Sequence, residues 1–258
     1  MKNQHFIQID TEKCVGCGLC RKDCPASNIV FENTKAKVLT QECIMCGHCV
    51  AVCPSAAVSM TGFDEPPEEI EKPTALDPRL LIDAIKTRRS IRQFTSRQVA
   101  PDLIAQIIEA GRLTPTGGNA QDVSFIVLKD GMARCEKIAV RMFRRLLPLI
   151  KLVNPIAKRT IIDDHFFFKK APAAIIIASR DQVNGALAAA NMELMAEACG
   201  LGVLYSGFFS MAANHSRTLR KMLGLKHGDK AVTTLVIGYS SATYYRTVQK
   251  EAALIRQI

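Results

Sequence analysis

The chain has 258 residues, is 48% hydrophobic and carries a formal charge of +10, enough length for one substantial core and a small second unit. No run approaches the roughly 18 uninterrupted apolar residues of a membrane-spanning helix, and the opening MKNQHFIQID lacks a charged-then-apolar signal pattern, so no membrane span and a cytoplasmic address are expected. With no Trp, few aromatic residues and no recognised nucleic-acid motif, the positive charge does not point to nucleic acid.

Eight of the ten cysteines fall between Cys14 and Cys53. In a chain that is neither short nor evidently secreted, that crowding indicates metal rather than a disulfide framework. Cys14, Cys17, Cys20 and Cys24 recur 29 positions later as Cys43, Cys46, Cys49 and Cys53, each block closed by a proline, Pro25 or Pro54. Short β-type runs flank the blocks at Phe6 to Ile9, Ile29 to Phe31, Ala36 to Leu39 and Ala57 to Met60. Each half is too small to fold without its metal.

The spacing Cys-x2-Cys-x2-Cys-x3-Cys-Pro suits a 4Fe–4S cubane, three corners reached from one loop. In bacterial two-cluster ferredoxins, which this segment resembles, the fourth cysteine ligates the other cluster. Cys14, Cys17, Cys20 and Cys53 are therefore expected to hold one cluster, and Cys43, Cys46, Cys49 and Cys24 the second. Tetrahedral zinc also uses Cys-x2-Cys, but it gives no reason for two complete blocks repeating in register. His48, beside Cys49, is expected to be a surface residue or a donor near the cluster. Among the remaining cysteines, Cys199 ends an apolar helix and reads as core, and Cys135 has nothing beside it to mark a reactive thiol.

From Gly62 to Pro78, four prolines and six acidic residues lie within seventeen positions. Stiff and solvated, this stretch reads as a linker. The expected division is a ferredoxin-like domain over 1–62, a linker over 63–78 and a second domain over 79–258.

The second domain alternates helix and strand signals. Leu80 to Thr87 has helical spacing, and Pro101 to Gly111 has proline at its start and glycine at its end. Val123 to Leu128, Ala173 to Ala178 and Val232 to Ile237 read as strands, the second of them buried. Gly185 to Cys199 reads as a helix apolar on most faces, running through the core. Between Arg134 and Lys170 the chain is basic and apolar together and interrupted by Pro148 and Pro155. It reads as a solvated helical pair or a mobile cover, with an interfacial membrane helix disfavoured because the prolines break its period. Element order alone leaves α/β and α+β open.

A nicotinamide-binding Rossmann motif is not supported: Gly200-Leu-Gly202-Val-Leu-Tyr205 has Tyr where the third glycine belongs and follows a helix. No Ser-His-Asp signature or catalytic carboxylate pair supports hydrolysis. Arg88, Arg89, Ser90 and Arg92 read either as a solvated basic cluster after a helix or as an anion cradle, forked guanidinium groups around a hydroxyl. Pro115, Thr116, Asn119 and Gln121 form a loop whose glycines allow close backbone approach and whose carboxamides can pair with a heterocycle.

In these stretches the chain resembles the FMN-dependent nitroreductase family, over roughly Leu80 to Lys250. The Arg88 to Arg92 stretch is similar to the family's phosphate-binding opening, and Pro115 to Gln121 to its Pro-Ser-x-x-Asn-x-Gln loop. Gly200 through Gly207 is similar to the stretch lining the reactive edge of the flavin, and Gly238 through Lys250 to the closing segment. The resemblance implies an α+β architecture, a small two-cluster ferredoxin domain followed by a nitroreductase-like α+β sandwich, and a homodimer with FMN at the interface. It implies that Arg88, Ser90 and either Arg246 or Lys250 hold the phosphate. Arg92, Asn119 and Gln121 would contact the isoalloxazine, and amides near Ser206 and Gly207 would approach N5 and O4. Two departures stand out: Asp122 follows Gln121 where the family often has proline, placing a carboxylate near the pocket, and Gln249-Lys250-Glu251 replaces the usual closing Pro-Arg-Lys.

The expected function is a fused iron–sulfur flavoprotein that passes electrons from two 4Fe–4S clusters to FMN and on to a small acceptor such as a nitroaromatic or quinone. NADH, NADPH or a ferredoxin would be the donor, and solvent would supply protons, so no protein acid or base is named. The alternatives are an electron-transfer or sensing module serving a partner protein, and the same fold turned to another reduction such as dehalogenation. Two clusters lower the net charge by about four units and a flavin phosphate by about two, leaving the loaded protein mildly basic.

Overall fold

The repeat of the first segment folds as two halves that complete each other. The computed structural model describes residues 5–63, 66–72 and 74–258. Strand β1 (Ile7–Ile9), helix α1 (Leu19–Lys22) and strand β2 (Ile29–Glu32) form one half; β3 (Lys35–Val38), α2 (His48–Ala51) and β4 (Val58–Met60) form the other. Pairing is exchanged: β1 runs antiparallel to β4 with Ile7 opposite Met60, and β2 to β3 with Ile29 opposite Val38. All four strands lie where the β-type runs place them.

The backbone obeys the 29-residue repeat as closely as the cysteines do. Gly18 and Gly47 precede the two helices at φ 80° and 75°, and Ser27 and Ala56 follow the fourth cysteines at φ 49° and 48°. Gly16 and Met45 also correspond, at φ 72° and 53°. Only the first of these must be glycine for space, because a Cβ there would sit 2.4 Å from the Thr34 carbonyl oxygen.

Within 63–78, residues 66–72 carry neither helix nor strand, while Pro78 already begins a helix. Asp64, Glu65 and Pro73 of that stretch lie outside the described residues.

By its contacts the chain divides into two compact units, one of residues 1–75 with 116–120 and one of 76–115 with 121–258. The second opens with α3 (Pro78–Thr87), whose start is set by Asp77 accepting from the Arg79 amide at 2.7 Å. Then come α4 (Pro101–Arg112), β5 (Ser124–Leu128), α5 (Met132–Val153), α6 (Pro155–Arg159), β6 (Ala173–Ser179), α7 (Gln182–Ala198), β7 (Gly202–Tyr205), α8 (Gly207–His215), α9 (Arg217–Met222) and β8 (Lys230–Gly238).

The sheet order is β5-β6-β8-β7, with every neighbouring pair antiparallel. All seven residues of β6 are buried, because both faces are covered. Ala173, Ile175 and Ile177 pack with α4 and α7 side chains such as Ile107 and Met192. Ala174 and Ile176 face the other way, toward Ala139 of α5, Phe209 of α8 and Leu219 of α9. This is an α+β sandwich, and burial on both faces is why β6 reads as a continuous apolar run. As expected, α7 carries no strong amphipathic face, although Val183 and Leu187 stay exposed.

The stretch after Arg134 opens with a pair of helices, one of its two expected readings, but divided at Pro155 and not at Pro148. Helix α5 runs unbroken for 22 residues with Pro148 inside it. Pro148 is exposed, so water can satisfy the carbonyl it leaves unpaired, and the packed stripe Cys135, Ala139, Val140, Phe143 and Leu147 anchors the helix up to it. Pro155 starts α6, with Asn154 accepting from the Ile156 and Ala157 amides. Among the described residues no helix is long and apolar enough to cross a membrane.

Candidate functional site

The cysteines of the first unit are grouped by its exchanged topology. Cys14, Cys17, Cys20 and Cys53 converge on one small cavity with Phe31, Ala36 and Val58. Burial pushes the Cys20 thiol up; the Arg21 amide opposes that, and the thiols of Cys14, Cys17 and Cys53 add to it. Cys49 is pushed up to about 11 by burial, opposed by the Val50 amide, with Cys43, Cys46 and Cys24 as its charged neighbours. Each quartet therefore takes three cysteines from one block and the fourth from the other, the crossed grouping the spacing suggests.

Thiolate is the ligating form, so positive iron must stabilise what burial disfavours. Among the described residues no three His, Cys, Asp or Glu side chains converge tightly enough to hold one metal ion. Four thiols converging from two blocks, as Cys14, Cys17, Cys20 and Cys53 do, supply one ligand for each iron of a cubane. Backbone amides point at the sulfurs: Asn28 N to Cys24 Sγ at 3.3 Å, Met45 N to Cys43 Sγ at 3.4 Å and Ala57 N to Cys53 Sγ at 3.2 Å. Burial raises the Cys53 thiol, but the Ala57, Ser55 and Val58 amides and the Ser55 hydroxyl bring it below its ordinary value. Such bonds stabilise charge on cluster ligands and tune potential. His48 takes no part; its Nδ1 lies 3.1 Å from Asp23 Oδ2 on the surface.

In the second unit, three stretches far apart in sequence meet. Residues 88–95 lie extended beside β7, with Ser90 bridged to Val203 and the Ile91 amide donating to the Val203 carbonyl at 2.9 Å. Gly202 permits this: a Cβ there would come within 2.3 Å of Ile91 Cγ1. The end of the same stretch pairs with the closing segment, Phe94 with Ser240. The Thr95 amide donates to the Tyr239 carbonyl at 2.9 Å, and that of Ser241 to the Gln93 carbonyl at 3.0 Å. Arg89 lies 5.9 Å from the Tyr244 ring and Arg97 4.0 Å from that of Tyr239.

Arg88 is not a loose cation. Its Nη1 lies 2.8 Å from Glu193 Oε1 on α7, and the Tyr205 hydroxyl reaches Glu193 Oε2 at 3.3 Å. Burial raises the Glu197 carboxyl, with neighbouring Glu193 adding to it, and burial likewise raises Tyr205. Glu193 was missed by sequence reading; the available signal was two carboxylates four residues apart on an otherwise apolar helix. One bond to Glu193 leaves most of the guanidinium's five donors for an anion. Arg92 is exposed, with a single 3.5 Å contact to the Ser90 carbonyl.

Ser206 is buried and its amide donates to the Thr234 carbonyl at 2.8 Å, while Gly207 and Phe208 start α8 exposed. The unpaired amides of a helix start suit the electron-rich edge of a heterocycle. These residues, with the Ser90–Arg92 strand, fit a ligand carrying a phosphate and a polar ring.

The loop from Pro115 to Gln121 is strongly bent, with Gly118, Asn119 and Gln121 at φ 55°, 52° and 45°. Thr116 to Ala120 groups with the first unit, where Asn119 Nδ2 donates to the carbonyls of Ile44 at 3.0 Å and Met45 at 2.6 Å. Pro115 and Gln121 are exposed in the second unit. Arg246 and Lys250 lie in the exposed segment after β8, which carries neither helix nor strand.

Asp122 corrects an expectation. Its Oδ2 accepts from Ser179 Oγ at 2.6 Å and from the Arg180 and Asp181 amides, and its Oδ1 from Asn184 Nδ2 at 2.8 Å. Burial raises this carboxyl, but the bonds outweigh it and bring it down to about 2. It fastens β5 to the turn between β6 and α7, so the carboxylate is committed to structure rather than to the pocket.

The Nitroreductase family matches this chain over residues 85–239, and the 4Fe-4S dicluster domain over residues 6–54. A Methanothermobacter thermautotrophicus protein named "Putative NADH dehydrogenase/NAD(P)H nitroreductase" is 26% identical over 168 residues, 62% of this chain and 76% of that protein. Among solved structures, a nitroreductase with bound FMN from Desulfitobacterium hafniense aligns with TM-score 0.56 at 19% identity, covering 68% of this chain and 97% of its own. Another with bound FMN, from Bacteroides fragilis, aligns with TM-score 0.53 at 20% identity, covering 69% and 98%.

Proposed function

The chain belongs to the nitroreductase family, FMN-dependent oxidoreductases, and from that membership we propose that it passes electrons from two 4Fe–4S clusters to FMN and on to a small acceptor such as a nitroaromatic or quinone. The observation that carries the reading is the convergence of residues 88–95, 202–207 and 239–244 in the unit that follows two crossed cysteine quartets. Bound FMN supplies the exchange between one-electron and two-electron chemistry.

The residues have distinct parts in this reading. Arg88 and Ser90 bind the phosphate, with Arg246 or Lys250 closing over it and Arg89 beside them. Glu193 aims the Arg88 guanidinium by holding one of its nitrogens. Arg92 places positive charge at the ring edge, where it favours a reduced, anionic ring. Pro115 and Gln121, the loop ends that belong to the second unit, border the ring, and the Gly207 amide faces its polar edge. The working unit is a homodimer with FMN at the subunit interface. Cytoplasmic residence suits cluster ligands that must stay reduced.

The test is anaerobic reduction with dithionite followed by addition of a nitroaromatic or a quinone. The flavin absorbance is expected to recover much faster than that of free FMN in the same mixture; recovery at the free-flavin rate refutes the reductase reading. Titration with NADH, NADPH and reduced ferredoxin in turn identifies the donor by which of them bleaches flavin and clusters.

A further inference from the structure

We propose that the end of α5, together with α6 and the residue pair that follows it, docks this protein on a bilayer surface carrying anionic headgroups. The inference is independent of the reaction proposed above. Leu149, Leu152, Val153, Ile156 and Ile161 are each between 64% and 83% exposed. Large apolar side chains concentrated this way on one element mark an interaction surface. They lie within thirteen residues of chain, at the end of α5, in α6 and just after it.

Charge selects the occupant. From Lys137 to Ile162 there are seven basic residues and no acidic one. Arg144 is spent on the Ile162 carbonyl and Asp164, each at 2.9 Å. Arg141, Arg145, Lys151, Lys158 and Arg159 form no ion pair among the described residues. An apolar tip ringed by unpaired cations is the pattern of a surface-lying amphipathic segment on anionic lipid. A two-fold contact with a second copy would bring these cations against their own kind.

A second feature of the same unit agrees. Beside the helix lies an open groove of about 430 Å³ lined by Arg141, Arg145 and Thr218 with Met142 and Leu146. Two guanidinium groups and a hydroxyl above apolar walls match a lipid phosphate with the start of its acyl chain. Of the two prolines that disfavour an interfacial helix in the sequence, Pro148 does not interrupt α5, and Pro155 divides the segment into α5 and α6.

The experiment is co-sedimentation of the cluster- and flavin-loaded protein with vesicles of phosphatidylcholine alone and of phosphatidylcholine with phosphatidylglycerol. Binding is expected only with the anionic lipid and should weaken as salt is raised. Leu152→Glu with Val153→Glu, and separately Arg141→Gln with Arg145→Gln, are each expected to weaken it about tenfold or more. Unchanged flavin and cluster absorbance shows that the variants are folded. Failure of the unaltered protein to sediment, or equal binding to both vesicles, overturns the proposal. So does a Leu152→Glu, Val153→Glu protein that binds vesicles normally but changes its oligomeric state by light scattering, which would assign the face to a second copy.

Discussion

Glu136 is 4% exposed, and a glutamate so placed must earn its position through hydrogen bonds. Its Oε1 accepts the amides of Phe167 at 2.9 Å and Phe168 at 2.8 Å, and its Oε2 lies 3.6 Å from His165 Nδ1. It anchors the aromatic run, in which Phe167 meets Phe143 and Phe209 edge-on. Burial raises its carboxyl above the ordinary glutamate range, although the two amides and His165 oppose the shift. A carboxyl raised in the folded state adds stability below its unfolded pKa, and that stability is lost as pH rises through the folded value. Glu136→Gln keeps an oxygen for both amides and removes the charge. Its melting temperature at neutral pH is expected to match or exceed the parent's, with a flatter dependence on pH. Glu136→Ala orphans two buried amides and should cost about 2 kcal/mol in denaturant unfolding. A Gln variant as unstable as the Ala variant would show that the charge itself is required. Asp122 gives the complementary lesson. Its position after Gln121 was legible, but its commitment to Ser179 and Asn184 was not, because those partners lie on elements distant in sequence.

At the scale of elements, the cysteine quartets depend on which strands pair. Because β1 pairs with β4 and β2 with β3, each block's fourth cysteine is carried into the other block's quartet. Variants test this directly. Cys14→Ser with Cys53→Ser strikes one quartet, so about half the iron should remain, no less than in either single variant. Cys43→Ser with Cys53→Ser strikes both quartets and should lose nearly all of it. Equal iron loss in the two double variants would refute crossed ligation. Helix α5 teaches the converse. Pro148 reads as a break from local chemistry, yet α5 runs through it to Val153, the proline sitting exposed just after the packed stripe ends at Leu147. Likewise β7 was legible only as a glycine-bearing stretch; its strand character comes from pairing with β8, Val203 opposite Ile237.

At the scale of the molecule, the first unit and the second hold separate cores. The first core is built around cysteines, with Cys14, Cys20 and Cys49 buried beside Ile7, Ile29 and Val58. The second unit has two apolar clusters, one on each face of the sheet, with no cluster ligand in either. Removing iron should therefore unfold the first unit, whose folding energy comes largely from its metal. The second is expected to keep its own thermal transition. Calorimetry before and after anaerobic chelation checks this, and loss of both transitions would mean that the second core is not self-sufficient.

Sequence alone determined the two cysteine blocks, their register and most of the strands and helices. Ligand spacing and side-chain periodicity are local properties, repeated every few residues. The family resemblance was legible for the same reason, through short ordered motifs such as Arg88 to Arg92. Tertiary structure alone decided what those motifs face. It set Glu193 against Arg88, Ile91 against Gly202, and Asp122 against Ser179. It carried α5 through Pro148 and left an apolar, cationic tip exposed. These outcomes depend on contacts between residues far apart in the chain, and no spacing rule within one segment encodes them.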